Sequence, residues 1–393
     1  MMDSGISVLI RYLPRPVDRA LRRWCYPAVL TAKNHRVRLT RLVGQSRSGQ
    51  VTMLVAGPEP WAYDLPLRVF QTPPKRIDAG TVPVWQLNSA ITRMAPDVDL
   101  VMARVDSLTA RLFCGSHYLR VPEWIETGRS VPEDLRKLVR STHSLSEDLR
   151  LSRHYKLEAE VTHSEEDFHD FYHTMYVPFI RARHGAMAWP SNEESLRHSL
   201  HRGGIIWLRC AGERIAALLF DCTTDSLHMG ADGVLHGDLS ILKKGVISAL
   251  FYNAFRQAAE RNCRFVDFGG CRACLSDGIL RYKRKWGISV RVRPGNQFYT
   301  LINWATWTPA VAAFLRDVPV LHQAGNQLVG VTAASAVEPG TQEDVDKIHQ
   351  TVSIPGIDRL VVVSEAGWSA GIVPPPSTVL VGGRPPVAQL VAV

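Results

Sequence analysis

A chain of 393 residues suggests two or three domains, because a single hydrophobic core stops growing near ~250 residues. Its 46% apolar, 21% charged and 8% aromatic content is globular and excludes a disordered, collagenous or heptad-repeat chain; no apolar run nears the ~18 residues that span a bilayer. The formal net charge of +9 is silent on fold but favours an anionic partner, such as a nucleotide, a phosphate ester, RNA or a lipid surface.

Residues 1–35 read as a basic, solvated arm carrying Arg11, Arg15, Arg19, Arg22, Arg23 and Lys33. Val17–Trp24 has the spacing of a short amphipathic helix with Arg19, Arg22 and Arg23 on its polar side, which leaves peripheral contact with a membrane surface or RNA open. The first residues lack the pattern of a secretory signal, and seven cysteines are too few and too odd in number for a disulfide framework. Together these predict a cytoplasmic protein.

Short apolar runs cut by prolines predict a small β-rich region over 36–130, with strands at Gln50–Ala56, Val98–Val105 and Arg111–Cys114. Signals sharpen in 131–305. Leu135–Arg150 reads as polar helix or loop, and Lys156–Val161 alternates as a strand. Ser164-Glu165-Glu166-Asp167 is a helix entry, with Ser at the N-cap and acids in the first turn. Ser191-Asn192-Glu193-Glu194 has the Ser-x-x-Glu spacing of a capping box, opening a helix that stops at Gly203-Gly204. Three strands follow, Ile205–Cys210, Arg214–Cys222 and Ser226–Ala231. A long helix over Leu239–Arg261 and a strand over Arg264–Phe268 complete the block. The order β, α, α, β, β, β, α, β predicts an α/β (α+β) fold, a mixed sheet flanked by helices. Residues 306–393 read as a small C-terminal appendage with strands at Leu360–Val363 and Thr378–Gly382.

The chemistry concentrates in Asp267–Gly287. A strand ends in Gly269-Gly270, where the backbone can approach a ligand closely. A turn at Asp277-Gly278 then leads into Arg281, Tyr282, Lys283, Arg284, Lys285 and Trp286. No acid occurs between Asp277 and Asp317, so Arg272, Lys283 and Lys285 lack local carboxylates. Cations interleaved with aromatics suit a phosphate and a stacked base or apolar tail. The second candidate is Lys243-Lys244-Gly245, where unpaired helix amides, two cations and a glycine suit a phosphate.

These two segments resemble the GNAT-superfamily N-acyltransferases, in the CelD-like and Fem-like branch. The likeness lies in Asp267-Phe268-Gly269-Gly270, Asp277-Gly278 and Tyr282-Lys283-Arg284-Lys285-Trp286-Gly287, with Pro178–Gly185 upstream, and covers roughly residues 150–300. It implies a GNAT-like sheet in which two parallel strands splay apart around an acyl donor, with the donor's pyrophosphate on the helix between them. It also admits 36–130 as a degenerate second half. The Arg/Gln-x-x-Gly-x-Gly/Ala loop that holds coenzyme A in the superfamily is absent. Two donors therefore stay open, acyl-CoA and, as in Fem-like relatives, aminoacyl-tRNA.

Either donor requires an amine to attack an activated carbonyl, an oxyanion to be stabilised and protons to be managed. Backbone amides near Met229–Ala231 are candidate oxyanion donors, Asp267 a candidate base or orienting group, and Tyr282 a candidate acid. Lys243, Lys244, Gly245, Gly269, Gly270, Arg272, Lys283, Lys285 and Trp286 are candidate donor-binding residues. Arg181, Arg183 and His184, at a helix end, are candidates for holding a small-molecule or peptide amine acceptor. A non-catalytic basic module that binds an anionic polymer is the contrasting reading. No metal is expected: Cys271-x-x-Cys274 has no second pair, and His169 and His173 lack the Glu of His-Glu-x-x-His.

Overall fold

The structure, a computed structural model, describes residues 31–32, 35–59, 62, 64–139, 142–185, 188–334 and 338–392. Most of the predicted basic arm therefore lies outside the described residues. In chain order the first elements are β1 (Arg36–Ser46), β2 (Gly49–Ala56), β3 (Lys75–Pro83), α1 (Leu87–Met94), β4 (Leu100–Asp106) and β5 (Leu119–Pro122). Then come β6 (Ile125–Ser130), α2 (His143–His154), β7 (Glu158–Thr162) and α3 (Glu165–Asp170). A π turn over Phe171–Tyr176 joins α3 to α4 (Val177–His184), and α5 (Glu193–Leu200), β8 (Gly203–Cys210), β9 (Glu213–Cys222) and β10 (Ser226–Val234) follow. A 3-10 turn (Leu239–Lys244) precedes α6 (Val246–Glu260), β11 (Phe265–Cys271), α7 (Gly278–Arg284) and β12 (Ser289–Val292). The chain ends in β13 (Phe298–Asn303), α8 (Pro309–Asp317), β14 (Val320–Ala324), β15 (Gln327–Ala333), α9 (Gln342–Val352), β16 (Arg359–Ser364), β17 (Thr378–Gly382) and α10 (Val387–Ala392).

These elements divide into two units, one of residues 1–125, 272–277 and 291–393, the other of 126–271 and 278–290. The first holds a six-stranded sheet in the order β3-β1-β2-β4-β13-β5 and a four-stranded sheet β14-β15-β16-β17. In the six-stranded sheet β2 and β4 are parallel, and β13 pairs antiparallel with β4 on one side and β5 on the other. Leu39, Leu54, Val101 and Leu301 pack with Leu87 and Ile91 of α1 to form its core. In the smaller sheet β15, β16 and β17 run parallel, with α9 as the crossover between β15 and β16. Arg111–Cys114 is not a strand: Asp106 caps a short helix over Ser107–Leu112 by accepting from the Leu108 and Thr109 N–H groups. A carboxylate before Ser107 satisfies the orphan amides there and favours a helical turn over extension.

The second unit holds a seven-stranded sheet in the order β12-β6-β11-β10-β9-β8-β7. β7 to β10 form an antiparallel meander, and β11 returns parallel to β10 after α6. This mixed sheet flanked by helices is the α/β (α+β) arrangement expected from the sequence. Phe168, Phe171, Met175 and Trp207 are fully or almost fully buried together on one face. α6 turns Val246, Leu250, Ala254, Phe255 and Ala258 inward; each large side chain contributes roughly 1.5–3 kcal/mol on burial. α3 starts as predicted, with Ser164 Oγ accepting from the Asp167 N–H. α5 differs by one residue: its N-cap is Asn192, which accepts from the Ser195 N–H at 2.8 Å. Ser191 is drawn off because its N–H donates to the Tyr176 hydroxyl and its carbonyl accepts from that of Tyr172.

Candidate active site

β10 and β11 pair over only three residues, Ser226–His228 against Phe265–Asp267, and then part. A register shift at Met229–Ala231 on the opposite edge of β10 accompanies the parting, the local twist that a bulge produces. The two strands wall a cleft of about 710 Å³: Met229, Gly230 and Asp232 line it from β10, and Phe268, Gly269 and Gly270 from β11. Beyond His228 the edge of β10 that faced β11 has no ladder there, so its amides and carbonyls are turned to the opening.

The start of α6 forms the next wall. Gly245 has φ +76° and ends the 3-10 turn, so α6 begins at Val246 rather than continuing the predicted helix from Leu239. A Cβ on Gly245 would lie 2.4 Å from the Asp148 carbonyl oxygen of α2, so at this left-handed break the chain needs glycine. Lys243, Gly245, Ile247 and Ser248 line the cleft at the positive end of the α6 dipole.

α7 brings Tyr282, Lys283 and Lys285 to the same space. The Tyr282 and Ser248 hydroxyls are 2.7 Å apart, and Ser248 donates to Asp148 Oδ2 at 2.6 Å. Because the Ser248 proton is committed to Asp148, the Tyr282 hydroxyl is the donor to Ser248. Lys285 is ion-paired to the same carboxylate and lies 4.0 Å from the Tyr282 ring centroid. Burial, with the Asp148 charge behind it, pushes the Tyr282 phenol well above its ordinary value and keeps it protonated. Burial also raises the Asp232 carboxyl, against the pull of Arg183 and Lys283. The cleft thus holds a carboxylate made more basic and a phenol held as an acid.

Of the residues singled out in the sequence, Tyr282, Lys243, Gly245, Gly269, Gly270, Lys283, Lys285 and Arg183 line this cleft. Lys283 is buried, and its ammonium donates to the carbonyls of Phe268 at 2.5 Å and Gly270 at 3.3 Å, so it secures the strand end. The others are placed elsewhere. Asp267 accepts from the Gly269 N–H and pairs with His228 Nδ1 at 3.1 Å, a bond that raises the His228 pKa. Lys244 lies over the Tyr155 ring. Trp286 is fully buried and stacks on Phe255 at 5.8 Å, with Phe251 and Phe268 around it. Arg181 and His184 stand at the end of α4 with much of their surface in solvent; partial desolvation and the charge of Arg183 lower the His184 pKa. Arg272 belongs to the other unit, where it meets Asp64 and Glu123 at 3.2 Å each and stacks on Trp124. The inference that the 272–285 cations lack carboxylates therefore fails for Arg272 and Lys285, whose partners come from distant chain. Asp232, Ser248 and Asp148 are the cleft residues that sequence reasoning missed.

No protein-family model matches the sequence, and no curated protein does. Among solved structures, FemX is similar at 9% identity and TM-score 0.36, over 73% of this chain and 96% of that one. L-PGS from Bacillus licheniformis is similar at 13% identity and TM-score 0.34, over 67% and 83%. A GCN5-related N-acetyltransferase from Sphaerobacter thermophilus is similar at 16% and TM-score 0.31, over 66% and 74%. Likenesses this distant leave function to be argued from the cleft itself.

Proposed function

We propose that the protein is an N-acyltransferase whose donor, an acyl-CoA, lies in the cleft between β10 and β11. The observation that carries this reading is the parting of two parallel strands directly above a helix N-terminus, with an acid and a base on the walls. An amide-bearing pantetheine arm is matched to the unpaired edge of β10, in the manner of an added strand. The pyrophosphate is matched to the first amides of α6 and to Lys243.

In the transfer, the amine nitrogen attacks the thioester carbonyl carbon, and its proton passes to Asp232. Backbone N–H groups of β10 beyond His228 stabilise the oxyanion. The C–S bond then breaks, and the thiolate takes the Tyr282 proton. Ser248 reprotonates Tyr282 and is itself refilled from solvent through Asp148, while the proton on Asp232 returns to solvent. The products are an amide and free coenzyme A. Arg183, which lines the cleft, with Arg181 two residues before it on the exposed end of α4, supplies positive charge suited to an acceptor that carries an acidic group.

These arginines and the net charge of +9 favour, as a second reading, an aminoacyl-tRNA donor whose ester undergoes the same attack. Purified protein incubated with acetyl-CoA, longer acyl-CoAs or charged tRNA, with amide formation followed by mass spectrometry, separates the two. Lys243→Glu is expected to weaken acyl-CoA binding about tenfold or more, a loss of about 1.4 kcal/mol. Unchanged binding in that variant would remove the phosphate assignment.

A further inference from the structure

The pair His169 and His173 acquires in three dimensions the acid it lacks in sequence. Their ring centroids lie 4.3 Å apart where α3 passes into the π turn. Glu193, from the first turn of α5, places Oε2 3.4 Å from His173 Nε2 and Oε1 3.8 Å from His169 Nδ1. One ligand atom from each of the three lies within 4.8 Å of the others. We infer that His169, His173 and Glu193 form a binding site for a divalent transition metal of the Zn²⁺ class, bridging α5 to the α3–π segment.

Two imidazoles and one carboxylate are a donor set suited to that class of ion. With metal–ligand bonds of ~2.0–2.1 Å, the ligand–ligand edge of a tetrahedral site is about 3.3 Å, against separations that lie within 4.8 Å here. Small side-chain rotations therefore complete the site, leaving a fourth position for water.

The ligand-bearing elements are also held in place without the ion. Ser191, two residues before Glu193, donates its N–H to the Tyr176 hydroxyl at 2.9 Å and accepts from that of Tyr172 at 3.0 Å. Both tyrosines belong to the π turn, so the start of α5 is tied to the element that carries His173. Arg197 donates to Glu193 Oε1 and to Glu165 Oε2, each at 2.8 Å, which orients the carboxylate and leaves Oε2 towards His173. The contrasting reading is a plain surface contact between the two histidines and Glu193, with no ion.

The test is a titration of the chelator-treated full-length protein with ZnCl2, followed by calorimetry, and with CoCl2, followed by visible absorption. The expected result is one saturable ion per chain and the intense visible bands of tetrahedral Co²⁺. His169→Ala, His173→Ala and Glu193→Gln each abolish those bands and weaken Zn²⁺ binding by more than the ~10–100-fold that loss of an outer partner costs. His349→Ala, on α9 in the other unit, leaves both unchanged. All three ligands are half-buried or exposed, so circular dichroism is expected to report an unaltered fold in each variant. Absence of saturable binding at millimolar metal, or binding that survives in the His169→Ala/His173→Ala double variant, overturns the site.

Discussion

Burial drives Asp232 and Tyr282 in the same direction, with opposite chemical results. A raised carboxyl pKa makes Asp232 a better proton acceptor near neutrality, and a raised phenol pKa keeps Tyr282 a donor. Asp232→Asn is expected to lower kcat by ~10²–10⁴ and to remove an acid limb of the kcat/KM profile lying above the ordinary Asp value of about 3.9. An acid limb that persists in the variant would assign the base elsewhere. Ser248→Ala is expected to slow turnover less than Tyr282→Phe, because it cuts the refilling route and leaves the acid. A separate residue governs stability in acid. His322 on β14 is buried and accepts the Arg120 N–H through Nδ1, and burial lowers its pKa to about 4. The unfolded chain, with an ordinary histidine near ~6.5, binds the extra proton first, so stability falls as pH drops from about 6.5 to about 4. The full loss is on the order of 3 kcal/mol, and denaturant titrations of wild type and His322→Gln across that range measure it, with the slope expected to flatten in the variant. Tyr282 was legible in the sequence because it sits in a motif. Asp232 was not, because the strand pattern ends at Ala231, one residue short of it. Asp148 was hidden in a polar stretch, 137 residues from the lysine it pairs with.

At the level of elements, apolar periodicity over Leu239–Arg261 predicts one long helix, and the fold delivers two pieces hinged at Gly245. Periodicity reports which side chains face inward; it carries no record of the left-handed Gly245 or of the α2 carbonyl packed against it. That break matters because it puts the first amides of α6 into the cleft. Gly245→Ala places a β-carbon in a left-handed position, at about 1–2 kcal/mol, and adds the clash with Asp148 O. The variant is expected to melt several degrees lower and to bind donor more weakly, whereas Gly278→Ala, whose added Cβ meets nothing within 4 Å, keeps the wild-type melting temperature. Equal melting temperatures for the two variants would mean that α2 yields to the new methyl. The π turn was equally invisible in sequence. Its wider backbone meets β10 at Gly233, where a Cβ would come within 2.7 Å of Met175 and Tyr176 backbone atoms. A single wide turn shifts the helical register too little to disturb an apolar pattern such as Phe168, Phe171 and Met175.

On the scale of the whole chain, sequence contiguity is a poor guide to what folds with what. The β, α, α, β, β, β, α, β order was legible because each element announces itself within about fifteen residues. Partnership between distant segments has no such local sign. The strand over 298–303, which contiguity attaches to the preceding block, inserts between β4 and β5, so the sheet of the 36–122 segment is incomplete until the chain returns. Tyr299–Ile302 pair with both neighbours, and Leu301 is fully buried in the core with Val101 and Leu54. A fragment of residues 36–130 therefore leaves two strand edges unpaired and exposes the apolar face that Leu301 covers. Such a fragment is expected to lack a cooperative thermal transition by circular dichroism and to aggregate, while the full chain melts cooperatively. Supplying residues 296–305 in the same polypeptide through a flexible linker is expected to restore part of the sheet's signal. Cooperative melting of the 36–130 fragment alone would mean that β4 and β5 do not need the strand between them.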